Sequence, residues 1–275
     1  MTTVSGRVSR RLIPLALLAG MLGLALAGGQ DRLPVLMYHH LVTDAPASAA
    51  ELHVDCFERQ MRYLHEQGFT TLTLAEFVQF HAEGSFPARS LLITFDDGYR
   101  SFLEHAYPLL QAYGFSAVVF PIVGHVPGLQ RDVVWSEYLS FHELRRMCAE
   151  SGLIDVGSHT FGLHRVDDAG RPAVLRQPHE SPEDHLGRVL DDLLSSRLVL
   201  AQQTDHDVIA LAWPFGVHTP EVVDLAVEAG FSLLFTTDEG YVAADTPLTA
   251  LMRFTVAADA PRCFRDIVDP ARQAP

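Results

Sequence analysis

Short apolar runs alternate with stretches of helical periodicity along almost the whole chain, and this alternation restricts the fold more than any other feature. The runs Leu33–Tyr38, Thr70–Thr73, Leu91–Phe95, Ala117–Pro121, Leu153–Val156, Val208–Trp213, Ser232–Thr236 and Leu251–Phe254 are too short for helices and read as strands. Helical stretches lie between them at Cys56–Gln67, Leu74–Ala82, Ser101–Ala112, Ser140–Glu150, Pro182–Gln202 and Pro220–Ala229. The last carries Val222, Val223, Leu225, Ala226 and Ala229, the broad stripe of a helix packed on a sheet. Gly114 and Gly230 stand where helix C-caps belong, each just before a strand. Such alternation predicts a parallel sheet covered by helices. A chain of 275 residues, 48% of them hydrophobic, suits a single α/β barrel. No internal repeat or interdomain linker interrupts it.

Charge and termini narrow the function. A net charge of −14 argues against nucleic acid, whose phosphates need a basic footprint. It suits a neutral substrate whose product carries amines. At the N-terminus, Arg7, Arg10 and Arg11 precede the apolar run Leu12–Ala27, with Ala25-Leu26-Ala27 as a small-x-small cleavage site. Residues 1–27 therefore read as a signal peptide or an uncleaved anchor, with possible membrane association in the second case, and residues 33–270 as the exported domain: secreted, periplasmic or cell-surface. The three cysteines, Cys56, Cys148 and Cys263, are widely spaced and lie near no motif, so buried free thiols are expected.

The chemistry-bearing residues stand at the ends of apolar runs. Leu91–Phe95 leads into Asp96-Asp97-Gly98, and Gly98 permits the tight exit of a strand-to-helix turn. Asp-Asp-Gly is also a common turn. Adjacent carboxylates at a buried strand end, however, repel each other and lose hydration, so a fold does not keep them there for stability. Their side chains point in different directions, so that one can bind a metal while the other handles a proton. Leu153–Val156 leads into Gly157-Ser158-His159-Thr160-Phe161-Gly162-Leu163-His164. Five positions separate the two histidines, about 140° on an ideal helix, so a loop curling back on itself is the better geometry for a shared ion. Two imidazoles and a carboxylate make a common catalytic metal set. Val208–Trp213 runs into Pro214-Phe215-Gly216, a sharp turn that exposes a backbone N–H.

In this order, Thr94-Phe95-Asp96-Asp97-Gly98, the His159–His164 loop and Trp213-Pro214-Phe215-Gly216 resemble the polysaccharide deacetylase family, carbohydrate esterase family 4 with its NodB-homology domain. The resemblance covers roughly Pro34 to Val268. Four residues between the histidines, Trp213 where most members carry an arginine, and the opening Val35-Leu36-Met37-Tyr38-His39-His40 resemble the subgroup that deacetylates poly-β-1,6-N-acetylglucosamine. The resemblance implies a distorted (β/α) barrel closed by seven strands. It also implies a divalent ion, zinc or else nickel, cobalt or iron, on Asp97, His159 and His164. Asp96 would be the general base, the Phe215 N–H an oxyanion donor, and His39 rather than His40 the general acid. Tyr38, Trp213 and Phe215 either touch the sugar or belong to the barrel core. The loops Gly124–Trp135 and Leu163–Pro182 flank this site and are long enough to shape a groove. His125, His179 and His185, in or beside them, read as solvated. Rival readings are the same chemistry on chitin or peptidoglycan, a small-molecule amidohydrolase, and a non-catalytic polysaccharide-binding member of the fold.

Overall fold

The computed structural model describes residues 29–127, 129, 137–258 and 263–269. The expected signal segment, and most of the loop 124–135, lie outside the described residues. Seven parallel strands form the framework: β1 (Val35–Tyr38), β2 (Ser90–Asp97), β3 (Ala117–Pro121), β4 (Ile154–Val156), β5 (Ala210–Ala212), β6 (Leu233–Phe235) and β7 (Phe254–Thr255). Pairing runs β7–β1–β2–β3–β4, each step parallel. Strands β5 and β6 pair in the same sense. Single parallel bridges, Ser158 to Leu211 and Phe235 to Leu251, join these two pieces and close the ring. The barrel is distorted because two of its seams hold by one bridge each. A shorter strand, Thr70–Thr71, pairs with the start of β2 outside the ring.

Helices α1 (Val54–Glu66), α2 (Leu74–Glu83), α3 (Tyr107–Tyr113), α4 (Phe141–Ser151), α5 (Pro182–Thr204), α6 (Pro220–Glu228) and α7 (Phe264–Val268) surround the strands. Capping boxes start α2 at Thr73 with Glu76 and α4 at Ser140 with Glu143. The stretch expected as one helix from Ser101 is a π-turn over Phe102–Ala106 followed by α3. Pro108 has no N–H to give to the carbonyl one turn earlier, which favours the wider turn.

Strand parity sorts the side chains into two layers. Leu36 and Tyr38 of β1, Ile93 and Phe95 of β2, Val119 of β3 and Leu211 of β5 belong to the outer core against the helices. Val35, Leu92, Val118, Phe120, Ala210, Ala212, Leu233 and Phe235 fill the interior. Tyr38 and Trp213, for which a sugar contact was one reading, fall on the outer parity and have no exposed surface. Tyr38 stacks on Phe95 and meets Phe57 edge to face, and its hydroxyl donates to Gln60. Of the cysteines only Cys148 is buried; Cys56 is half-buried and Cys263 exposed, all three as free thiols.

Gly98 holds the turn after β2 at φ +79°, and a Cβ there would lie 2.8 Å from Pro121 Cα. Gly170 has the same handedness, φ +77°, with nothing within 4 Å. Gly170→Ala should therefore lose about 1 kcal/mol in urea unfolding, the left-handed backbone penalty alone. Gly98→Ala should lose that plus about 1–3 kcal/mol of overpacking. Equal losses would mean that the strand end yields freely.

Candidate active site

Asp96 sits on the interior parity of β2, in line with Leu92 and Thr94, and is almost wholly buried. Its partner comes from a distant part of the chain. Arg253, between the bridge residue Leu251 and β7, donates to both Asp96 oxygens, at 2.7 and 2.8 Å. The same guanidinium donates to Thr94 Oγ1 at 3.2 Å and to the Thr236 carbonyl at 2.9 Å. It lies 5.9 Å from the ring centroids of both Phe120 and Phe235. Burial is the largest single influence and would raise the Asp96 pKa. The Arg253 charge and hydrogen bonds, with the His159 and His39 charges, together outweigh it and hold the carboxyl at about 2. Asp96 is therefore a permanent carboxylate.

Parity would send Asp97 outward with Ile93 and Phe95, into the helical layer. A left-handed backbone, φ 68°, breaks the alternation, and Asp97 meets His159 and His164 instead. Its Oδ1 lies 3.4 Å from Nε2 of each. The three candidate ligand atoms fall within 4.8 Å of one another. With metal–ligand bonds of 2.0–2.1 Å, a tetrahedral site has ligand atoms about 3.3–3.4 Å apart, so two edges match directly. Asp97 Oδ1 is buried with no hydrogen-bond donor, as a carboxylate oxygen reserved for a cation would be. Burial pushes the Asp97 carboxyl up to about 6.

The histidine loop is built by its own contacts. His159 Nδ1 lies 2.8 Å from the Ala212 carbonyl, which can only accept, so Nδ1 carries the proton and Nε2 keeps its lone pair for the site. Desolvation lowers the His159 pKa to about 3 and also lowers that of His164, which keeps both rings neutral. Thr160 takes φ 70°, and the N–H groups of Phe161 and Gly162 each donate at 2.8 Å to the Asp192 carboxylate on α5. This clamp curls the loop and lets histidines five apart converge. Gly157 is required at its start, because a Cβ there would sit 2.2 Å from the Phe120 ring.

The remaining expected residues divide. His39 follows β1 on the interior parity, and its charge bears on both Asp96 and Asp97. His40 turns away and stacks on Tyr99 at 4.5 Å. Phe215, with φ 58° and 45% exposed, lies over the mouth with its ring 4.4 Å from that of His164. Its backbone N–H donates to nothing among the described residues. His179 is exposed, as expected. His185, expected to be solvated, is instead buried, with Nε2 at 2.9 Å from the Val174 carbonyl. Arg253 and Asp192 were not expected from the sequence. Neither stands in a motif, and 157 residues separate Arg253 from its partner.

Two predictions follow from these charges. In chelator at pH 8, Asp97→Asn should melt no lower than the parent, because it removes a buried carboxylate that ionises at about pH 6 instead of its unfolded value of about 3.9. The sign is that of a raised carboxyl: destabilising above pH 6 and relieved as pH falls towards 4. Its relief, on the order of 2–3 kcal/mol, should shrink over that interval in melts at pH 8, 6 and 4. Arg253→Met leaves Asp96 buried and unpaired and should lose about 3–5 kcal/mol. Adding Asp96→Asn should recover part of that loss in a double-mutant cycle; strictly additive losses would show that the two side chains do not couple.

Comparison with known proteins agrees with the geometry. Residues 83–234 match the family described as polysaccharide deacetylase, a span that holds Asp96, Asp97, His159, His164 and Phe215 but neither His39 nor Arg253. A poly-β-1,6-N-acetyl-D-glucosamine N-deacetylase of Staphylococcus aureus is 27% identical over 204 residues, 74% of this chain and 67% of the relative. Among solved structures, IcaB from Ammonifex degensii superposes with a TM-score of 0.74 at 28% identity, over 88% of this chain and 98% of that one. The BpsB deacetylase domain from Bordetella bronchiseptica gives 0.69 at 26% identity, over 82% and 96%. With more than half its length matched and the matched strands carrying the assembled carboxylates and imidazoles, the chain belongs to the polysaccharide deacetylase family.

Proposed function

We propose that the protein is a metal-dependent hydrolase that removes N-acetyl groups from an exported N-acetylglucosamine polymer, poly-β-1,6-N-acetyl-D-glucosamine in the first place. One observation carries the reading: an Asp-His-His set, buried except for half-buried His164 and with an unsatisfied oxygen, lies beside a carboxylate that Arg253 helps hold in its charged form. The name of the Staphylococcus aureus relative supports the choice of polymer, and the Arg7–Ala27 segment supports export.

Asp97, His159 and His164 would hold the ion; two imidazoles and one carboxylate suit zinc and also accept nickel, cobalt or iron. When bound, such an ion acidifies water and polarises a carbonyl. Asp96 takes the proton from the attacking water. At a pKa of about 2 it is a weak base, but it is ionised at every working pH. Arg253 uses one lone pair on each Asp96 oxygen and fixes the direction of the others. The Phe215 N–H donates to the oxyanion that forms as the acetamide carbon becomes tetrahedral. His39, protonated, gives its proton to the departing sugar nitrogen, and the C–N bond breaks to acetate and an amine. Phe215, exposed above His164, is the one of the three aromatics able to touch the acetyl group or the sugar.

Acetate release from the polymer, from chitin oligomers and from peptidoglycan tests the reading; chelation should abolish release and added zinc should restore it. Asp96→Asn should keep its metal and slow turnover on the order of 10²–10⁴-fold. It also removes the counter-charge of Arg253, so its melting point should fall, which an exposed base would not cause. His39→Ala should keep its metal and lose the alkaline limb of the pH–rate profile, while His40→Ala changes little. An intact limb in His39→Ala would remove His39 from the mechanism.

A further inference from the structure

The loop between His164 and α5 walls a second cavity that the proposed chemistry does not use. It encloses about 460 Å³ between residues 171–178, the first turns of α5 and the start of α6. The wall is fixed by Arg188, whose guanidinium donates to the Ala173 and Leu175 carbonyls, at 2.8 and 3.3 Å, and to the Glu180 carboxylate. The cavity stands apart from the ligand cluster. His185, which lines it, precedes the clamp residue Asp192 by two turns of α5, about 10 Å along the helix axis.

Two guanidiniums, Arg171 and Arg176, line this cavity, and neither forms an ion pair among the described residues. Each is tethered through Nη1 to a carbonyl, Arg171 to Arg176 at 3.2 Å and Arg176 to Glu180 at 3.5 Å, which leaves Nε and Nη2 without a protein acceptor. In a chain with 34 acids and 20 bases, two arginines beside a cavity and without a carboxylate suit an anion from outside. The one carboxylate among the lining residues, Glu221, is turned onto the Thr219 hydroxyl and its own N–H. His185 is 8% exposed, and its Nε2 lies 2.9 Å from the Val174 carbonyl, which can only accept. The proton therefore sits on Nε2, and Nδ1 is an acceptor with no partner among the described residues. Leu175 and Leu186 supply an apolar side. The volume admits one sugar-sized molecule.

We propose that this cavity is a binding site for an anionic sugar, a sugar acid or a sugar phosphate. Arg171 and Arg176 take the oxyanion, His185 Nδ1 accepts from a ring hydroxyl, and the C–H face of the ring lies on Leu175 and Leu186. Such a ligand differs in charge from the neutral acetamido sugar of the hydrolytic site, and the proposal does not depend on that site's chemistry.

The test is calorimetric binding to the full chain, treated with chelator so that no metal takes the anion. The probes are glucuronate, glucose 6-phosphate, inorganic phosphate and, as the neutral control, glucose. At least one sugar anion should bind with a Kd of about 1 mM or tighter, at least about tenfold tighter than glucose, and the stronger of the two identifies the source of the oxyanion. Replacing both arginines, Arg171→Gln with Arg176→Gln, should weaken that binding at least about tenfold with the melting point unchanged. If the double variant melts lower than the parent, the two single variants take its place, each losing part of the affinity. His185→Gln keeps a donor for the Val174 carbonyl and displaces the Nδ1 acceptor. It should bring the sugar anion down to the affinity of inorganic phosphate. Glucose or inorganic phosphate bound as tightly as both sugar anions, or an affinity unchanged in the arginine variants, overturns the proposal.

Discussion

The contact between Arg253 and Asp96 organises the upper layer of this barrel. A guanidinium with no exposed surface reaches the carboxylate and Thr94 on β2, the carbonyl after β6, and the faces of Phe120 and Phe235. Taking two charges out of water is expensive, and the pair is tolerable only because nearly every donor and acceptor is matched. Its placement matters as much as its strength. Arg253 stands at one of the seams held by a single bridge, Phe235 to Leu251, so its hydrogen bond to the Thr236 carbonyl crosses the barrel where the strand ladder is thinnest while its ion pair reaches β2. The same guanidinium helps keep Asp96 charged, so closing the fold and holding the proposed base ionised meet in one side chain.

Around that pair the site departs from ideal geometry at three strand ends. Asp97, Thr160 and Phe215 all have left-handed backbones, which cost about 1–3 kcal/mol each in residues other than glycine. Each is held by a neighbour that leaves little freedom. Gly98 lies against Pro121, Asp192 clamps the loop after Thr160, and Gly216 is pressed on Thr237. The departures have a common result. Alternation gives a strand only inward and outward positions, whereas a site at the barrel mouth needs side chains and an N–H directed over the top.

Uncompensated groups also lie in this place. Asp97 carries a buried oxygen without a donor, and its two imidazole neighbours are kept neutral by desolvation. A protein selected for stability alone would pair or replace these groups. Here the deficit falls on a cluster of three side chains at ligand spacing, and a divalent cation is the one simple partner that would satisfy all three at once.

The sequence by itself determined the strand and helix order, the parallel barrel and the three residues of the candidate metal cluster. These follow from local signals: apolar run length, helical stripes, cap residues, and acids and imidazoles placed at strand ends. The separation of His39 from His40 was also legible, because a strand sends neighbours to opposite faces. What the tertiary structure decided lies beyond the reach of period and spacing. Arg253 looks like any arginine near a short strand, and only barrel closure brings it to Asp96. Asp192 reads as one more acid on α5 until the loop folds onto it. Tyr38 and Trp213 suited a sugar or a core equally well until the closed ring put their parity under the helices. His185, polar and beside a loop, was expected in solvent, but α5 buries it against the Val174 carbonyl. Local sequence sets which groups are available and at which strand ends, but ring closure, through contacts between residues far apart in the chain, sets which of them meet.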